Sequence, residues 1–265
     1  MKKPIIIVVG HEKGGTGKST ISNHLSIGML YANPNMKIAI IDTDVRQATT
    51  NIFFTARNNF SKDLIQPTFR LIKLSTNDSK EKSLIEDYVL LTTLLAEFSD
   101  YDLIIIDTAG SYSNPVILSL LKADILLTPV TDSFLDIDVL VRISDKNLVY
   151  GPYTNLVFEK NQERLLKDIP PIKWFLIRNR APSTAHTNSD ICLDLLTRIG
   201  KNINASLLYT IKERVVYKEM FRYGLTIFDI IHLYANEITT NRLYALEEMN
   251  NFIELITKEI QNIYI

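Results

Sequence analysis

One cysteine, Cys192, in 265 residues leaves no internal disulfide possible, which suits a reducing compartment. The four histidines, His11, His24, His186 and His232, show no ligand spacing, so a metal centre built from Cys and His is not expected. Net charge is close to absent at -1, so any attraction to nucleic acid must come from a local patch. No stretch approaches the roughly 18 apolar residues needed to span a bilayer. The apolar run Ile5–Val9 is too short for a signal-peptide core and leads straight into glycines. Linkers, repeats and low-complexity tracts are missing as well. The expectation is a soluble, intracellular, cytoplasmic chain with a single domain over residues 1–265.

What is present is a recurring β-branched apolar run, each followed by a loop and a helical pattern. The runs are Ile5–Val9, Lys37–Ile41, Phe69–Leu74, Leu103–Ile106, Ile125–Leu127 and Trp174–Ile177, with Leu207–Tyr209 weaker. Continuous apolar runs suit strands buried on both faces. Helical patterns fall at Ser19–Tyr31, Glu81–Phe98, Pro115–Leu121, Leu135–Ile143, Asn155–Leu166 and Asp190–Ile199. Within Glu81–Phe98, residues Leu84, Leu91, Leu94, Leu95 and Phe98 recur at helical spacing. The tail Asn236–Ile265 lacks glycine and proline and predicts one long helix or two, with residues 230–265 packing on the outside of the sheet. The order β-α-β-α predicts an α/β fold: a doubly wound, mostly parallel sheet with helices on both faces.

Such sheets bind ligands outside the carboxyl ends of their strands. The unusual polar residues fall there: a glycine loop after the first run, Asp42 after the second, Asp107 after the fourth and Asn179 after the sixth. The loop is Gly10-His11-Glu12-Lys13-Gly14-Gly15-Thr16-Gly17-Lys18-Ser19-Thr20. Its end, Gly17-Lys18-Ser19, matches a P-loop. Glycines let successive backbone N–H groups point at phosphate oxygens, and the following helix offers its positive N-terminus to the same anion. Lys18 can reach the β and γ phosphates, and the Ser19 hydroxyl can ligate Mg²⁺. Lys13, standing early in the loop, is better placed to reach a nucleotide held by a second copy of the chain.

Ile41-Asp42-Thr43-Asp44 puts two carboxylates near a strand end, where they can hold a Mg²⁺ water and orient an attacking water; a solvated turn accounts for the same residues. Leu103–Asp107 has the form of a Walker B strand that delivers Asp107 to the metal. Asn179 can pair with the adenine edge, and an ordinary loop asparagine is an equal reading.

Lys13–Ser19 resembles the deviant Walker A loop of the ParA/MinD family of ATPases. Four further segments resemble its MipZ branch of division-plane positioning ATPases: Asp42–Gln47, Asp132–Asp138, Leu176–Arg180 and Glu213–Phe221 continuing to Thr226. The resemblance covers roughly residues 4 to 230. It implies a P-loop NTPase fold that uses ATP and Mg²⁺, with slow, dimerisation-dependent hydrolysis. Lys13 then contacts nucleotide across a homodimer, and Gly14, Gly15, Thr16, Gly17, Lys18, Ser19 and Thr20 form the cradle. Ser19, Asp42 and Asp107 serve the metal, Asp44 serves hydrolysis with Lys13 and Lys18, and Asn179 contacts adenine. The implied partners are the chromosome partition protein ParB, the tubulin-like division protein FtsZ, whose polymerisation is inhibited, and DNA bound non-specifically. Association with the nucleoid or a pole follows through those partners.

The DNA candidates here are Arg198, Lys201, Lys212, Arg214, Lys218 and Arg222, and a solvated face explains them equally well. Phe252–Ile260 is amphipathic but not basic, so no membrane anchor of the MinD kind is expected. The competing readings are a partition ATPase that does not act on a division protein and a metabolic P-loop synthetase or kinase. One cysteine excludes the iron–sulfur carrier of the superfamily.

Overall fold

The computed structural model describes every residue except 1–2, 73–74, 76–78, 112, 145–146, 183–186, 235–237 and 264–265. The ends of two expected elements, residues 73–74 of a strand and 236–237 and 264–265 of the tail, therefore lie outside the described residues.

β1 (Ile5–Val9), β2 (Ile38–Asp42) and β4 (Leu103–Asp107) are buried along their whole length. Their side chains alternate between two cores. Ile5, Ile7, Val9, Ile40 and Ile105 enter one; Ile6, Val8, Ile41 and Ile106 enter the other. Only a sheet covered on both faces makes every position of such a strand apolar. With β3 (Thr68–Leu71), β5 (Ile125–Val130), β8 (Lys173–Ala181) and β9 (Ser206–Lys212) they form a seven-stranded parallel sheet in the order β3-β2-β4-β1-β5-β8-β9. The chain winds one way from β1 to β3, returns to β4, and then winds the other way. The winding therefore reverses around β1, which puts a ligand crevice at its carboxyl end.

The first core lies under α1 (Lys18–Ala32), α2 (Thr49–Phe60), α8 (Val215–Phe221), α9 (Ile227–Leu233) and α10 (Thr240–Gln261). The second lies under α3 (Lys80–Glu97), α4 (Asn114–Lys122), α6 (Pro152–Leu165) and α7 (Thr187–Asn202). As expected, the tail is a packing helix: Met249, Phe252, Ile253 and Ile256 of α10 are buried in the first core. No helix among the described residues is long and apolar enough to cross a membrane.

Three expectations are corrected. The apolar spacing of Leu135–Ile143 predicts a helix, but only one turn, α5 (Phe134–Ile137), forms. The chain then enters an antiparallel ribbon of β6 (Val141–Ser144) and β7 (Asn147–Tyr150), consistent with the β-branched Val141, Ile143 and Val149. The Ile125–Leu127 strand runs on through Thr128 and Pro129, because β5 pairs with β1 only as far as Leu127 and proline's missing N–H faces no neighbour beyond it. Leu84 shares the helical spacing of α3 but is exposed, whereas Leu91, Leu94 and Leu95 are buried.

A buried bidentate pair locks the first face. Arg57 on α2 donates from Nη1 and Nη2 to the Asp229 carboxylate at 2.9 and 2.8 Å, with both side chains fully buried. The Gly224 and Ile65 carbonyls take further Arg57 protons, and Tyr31 Oη donates to Asp229. Every charge is satisfied, the condition under which a buried pair is tolerated. His24 stitches α1 to α9: its Nδ1 donates to the Thr20 carbonyl at 2.8 Å, while Nε2 accepts from Ile227 N at 3.4 Å.

Burial pulls the His24 pKa from 6.5 down to about 4, so the folded chain holds it neutral. The unfolded chain takes up this proton first as pH falls. The stabilisation is therefore complete above pH 6.5 and is lost towards pH 4. The stability advantage of the wild type over His24→Asn should shrink by about 3 kcal/mol between pH 7 and 4 in denaturant titrations. A constant difference would show that His24 is solvated.

Candidate functional site

At the carboxyl end of β1 the backbone leaves the sheet, curls through Gly10–Gly17, and enters α1. Gly15 and Gly17 are left-handed, with φ of 81° and 95°, and Gly17 caps α1. Gly17 is required for a second reason. A Cβ there would lie 2.1 Å from Asn179 Nδ2. Asn179 is itself engaged, donating Nδ2 to the Thr16 carbonyl at 2.7 Å. On the other flank a Cβ on Gly110 would meet the backbone N of Gly14 at 2.7 Å. The loop is thus braced from β8 on one side and from the segment after β4 on the other. His11 braces it from below: buried, with Nδ1 accepting the Lys13 N–H at 3.0 Å and its ring centroid 5.9 Å from that of Tyr153. Burial, then the Lys18 charge, pull His11 to about pKa 4. A neutral ring is what accepting an amide proton requires.

The loop lines a 180 Å³ cavity together with Ser19, Thr20, Asp44, Gln47, Thr49, Thr108, Gly110 and Arg180. Lys18 lies at its floor, buried, its Nζ donating to the Lys13 carbonyl at 2.7 Å. Burial lowers its pKa, opposed by the charges of Asp107, Asp44 and Asp136. The hydroxyl of Thr16 is buried without a hydrogen-bond partner. A Cβ on Gly14 or Gly15 would meet nothing within 4 Å, so this side of the loop is open. Open glycine backbone, a buried ammonium and a helix N-terminus fit a polyphosphate.

Two carboxylates lie side by side beneath the cavity, because Asp42 pairs in register with Asp107 across β2 and β4. Burial, then the Asp107 charge, push Asp42 up to about pKa 7. Asp107 is raised by burial, against hydrogen bonds from Ser19 and Thr50, the charge of Lys18 and a bond from Ser22. Thr50 Oγ1 donates to Asp107 at 2.7 Å and Ser22 Oγ at 3.3 Å. The Ser19 hydroxyl, the Asp107 carboxylate and the cavity-lining Asp44 form an all-oxygen set that fits a hard divalent cation such as Mg²⁺. Asp42, expected to serve the metal, has both oxygens engaged with backbone N–H groups, those of Asp44 at 2.9 Å and Asn51 at 3.2 Å; like Asp107, it lies behind the residues that line the cavity. It shapes the turn that presents Asp44. Asp44 in turn accepts from the Arg46 and Gln47 amides.

Asn179 lies inside β8, not after it, and lines a small cleft with Gly17, Thr20, Arg180, Lys212 and Tyr217 beside the main cavity. Lys13 does not line the cavity of its own chain. Its Nζ donates to the Leu135 carbonyl and lies 4.0 Å from Asp136. Among the DNA candidates, Arg198 pairs with Asp194, Arg214 with Glu248 and Lys218 with Glu213, so half of the six expected cations are matched by acids. Lys201, Lys212 and Arg222 are exposed. Thr50 and His11 are functional contacts that sequence reasoning missed. No spacing marks Thr50, and His11 is signalled only by its place in the loop.

The family model described as ATPase MipZ matches residues 5–258. The septum site-determining protein MinD of Helicobacter pylori is 27% identical over 160 residues, 53% of this chain and 59% of that protein. This chain therefore matches less than two thirds of that relative's length. Among solved structures, the ATP complex of McdA from Cyanothece aligns with TM-score 0.65 at 16% identity, over 99% of this chain and 98% of that one. MinD of Pyrococcus horikoshii with Mg-ADP aligns with TM-score 0.60 at 15% identity, over 96% of each chain. At such identities the structural likeness shows the fold, the P-loop NTPase fold expected above.

Gly17→Ala should destabilise the chain by about 2 kcal/mol, from left-handed strain and a displaced Asn179. It should also abolish binding of a fluorescent ATP analogue. Adding Asn179→Ala should remove the clash but not the strain, and so restore part of the stability. Wild-type stability and binding in the single variant would show that the loop is not braced as described.

Proposed function

The chain belongs to the ATPase MipZ family, and from that premise we propose that it is an ATP-dependent switch whose nucleotide-bound form is a homodimer. The chain acts as one ATPase unit, with the C-terminal helix as part of it. The observation that carries the reading is the division of labour between the two loop lysines. Lys18 is buried at the cavity floor, whereas Lys13 does not line that cavity at all. A cation in the loop that does not face its own phosphate site is available to another.

The proposed substrate is ATP. The amides from Gly14 to Thr20 and the N-terminus of α1 bind its phosphates, and Lys18 exchanges the Lys13 carbonyl for phosphate oxygens. Mg²⁺ when bound would supply neutralisation of the phosphate charge. Ser19 and Asp107 would hold it, Ser19 directly and Asp107 through the hydroxyl that it orients. Asp44, presented at the cavity by the Asp42-pinned turn, orients the attacking water. Phosphoryl transfer asks mainly for such positioning, so a weakly basic carboxylate suffices, and slow turnover follows. Lys13 of the second copy completes the charge around the γ-phosphate, which makes hydrolysis dimerisation-dependent. Asn179 spends Nδ2 on the loop and keeps Oδ1 for the adenine amino group in the adjoining cleft. The family's association with division-site placement supports ParB-like partition protein and FtsZ as partners in the cytoplasm, with nucleoid or polar association through them. A partition ATPase that leaves the division protein alone would share this site and differ only in its target. The acid-matched cations argue for a modest, salt-sensitive DNA contact at most.

Light scattering should show a monomer without nucleotide and a dimer with ATP and Mg²⁺. Asp44→Ala should hold the dimer for longer, and Lys13→Ala should prevent it while ATP still binds. A wild type that binds ATP and stays monomeric would remove the switch.

The division assignment has its own measurement. The ATP-bound dimer should shorten or dissolve FtsZ filaments in a pelleting assay, whereas Lys13→Ala should not. Filaments unaffected by the dimer would leave the partition reading.

A further inference from the structure

The one-turn helix α5 combines two features that the site does not use. Its Phe134 and Leu135 side chains are 65% and 68% exposed, although both are large and apolar. Its main chain holds Lys13, through the Leu135 carbonyl, with the Asp136 carboxylate 4.0 Å from the ammonium. The turn is well made. Asp136 N and Ile137 N donate to the Ser133 carbonyl at 2.9 and 3.1 Å, and Thr131 Oγ1 fixes the Asp136 carboxylate at 2.6 Å.

We propose that the turn 133–137 is a latch between copies of this chain: closed, it holds Lys13 within its own subunit, and open, its Phe134–Leu135 pair is the surface that a second copy covers. The inference rests on the dimerising reading above and names the surface and the brake that regulate it.

Three observations support the latch. First, Lys13 has its counter-charge at home, so reaching another subunit means giving up an ion pair and a hydrogen bond. Second, the two loop lysines are tied in series. Lys18 Nζ donates to the carbonyl of Lys13, and Lys13 Nζ donates to the carbonyl of Leu135. A phosphate that takes Lys18 frees the Lys13 peptide, so nucleotide entry loosens the latch from the inside. Third, the turn and the loop lysine share one edge. Lys13, which the proposed switch sends to the second copy's nucleotide, is held by Leu135 and Asp136, so the copy that receives Lys13 lies against this turn. The Phe134–Leu135 pair gains only when another surface removes it from water. That continuity with the proposed contact points to a second copy as the occupant.

The test is the ATP concentration at half-maximal dimer, read by light scattering on the full chain. Asp136→Asn keeps an acceptor for Thr131 but discards the charge, and should lower the midpoint about threefold. The double variant Phe134→Ser/Leu135→Ser alters exposed positions only and should raise it at least about tenfold. Leu166→Ser, at a position 87% exposed on the far end of α6, should leave it unchanged. Thermal melting checks that all three are folded. An unchanged or raised midpoint in Asp136→Asn overturns the brake. A wild-type midpoint in the serine pair, or an equal rise in Leu166→Ser, overturns the surface. A wild type that dimerises with unaffected variants removes the latch alone, and a wild type that binds ATP but never dimerises removes the switch with it.

Discussion

Two carboxylates forced into one buried place organise this molecule. Parallel pairing of β2 with β4 sets Asp42 beside Asp107 with both residues buried. Burial pushes both towards the neutral form, and for Asp42 the Asp107 charge adds to it. The structure answers with donors. Asp107 collects hydroxyls from Ser19, Ser22 and Thr50 together with the field of Lys18. Asp42 collects the amides of Asp44 and Asn51. The donors come from three elements, so satisfying two charges fixes the start of α1, the turn after β2 and the start of α2 relative to one another. A divalent cation fits beside this pair because the oxygens of Ser19 and Asp107 are already positioned and a bound cation would favour the ionised carboxylate.

The glycine loop obeys the same economy. Its curl needs left-handed backbone that its glycines supply, and three groups hold it: Asn179 on Thr16, His11 on Lys13 and the close approach of Gly110 to Gly14. Because each support comes from a separate strand end, the loop stays correct only while the sheet register is correct. The fold reaches the site through main-chain geometry, and the polar side chains are held by packing before any ligand arrives.

Much of this was legible in the sequence because it depends on local rules. Runs such as Ile5–Val9 and Leu103–Ile106 have no other stable home than a doubly covered sheet. Gly-Lys-Ser after such a run leaves little choice of chemistry. The parts that were not legible are set by contacts distant in sequence. Asp42 and Asp44 are both carboxylates at a strand end, and spacing cannot tell which oxygen will meet an amide and which a cavity. Leu135–Ile143 carries an apolar spacing that suits a helix. The turn gives way to a ribbon whose exit is held by Gly151 N donating to the Leu140 carbonyl, a contact between distant residues that the apolar spacing does not encode. The apolar run stops at Ile177, ahead of Arg178 and Asn179, so the sequence alone puts Asn179 after its strand. In three dimensions β8 continues past it, with Arg180 in a left-handed bulge that lets the ladder resume at Ala181.

The balance of charge decides what kind of device this is. Net charge near zero gives no long-range field with which to gather a polyanion. Locally, the cations are engaged already: Arg57 with Asp229, Arg178 with Asp132, Arg214 with Glu248, Lys13 beside Asp136. These pairs are of two kinds. Arg57 and Asp229 are fully buried with every proton matched, so breaking them would leave an unpaired buried charge at a cost of about 3–5 kcal/mol. Lys13 keeps a third of its side chain in solvent and rests on a carbonyl and a carboxylate 4.0 Å away, so its partners can be exchanged for others at small net cost. Under the proposed switch, nucleotide re-pairs the chain at this one exchangeable place, and no large rearrangement of the sheet is required.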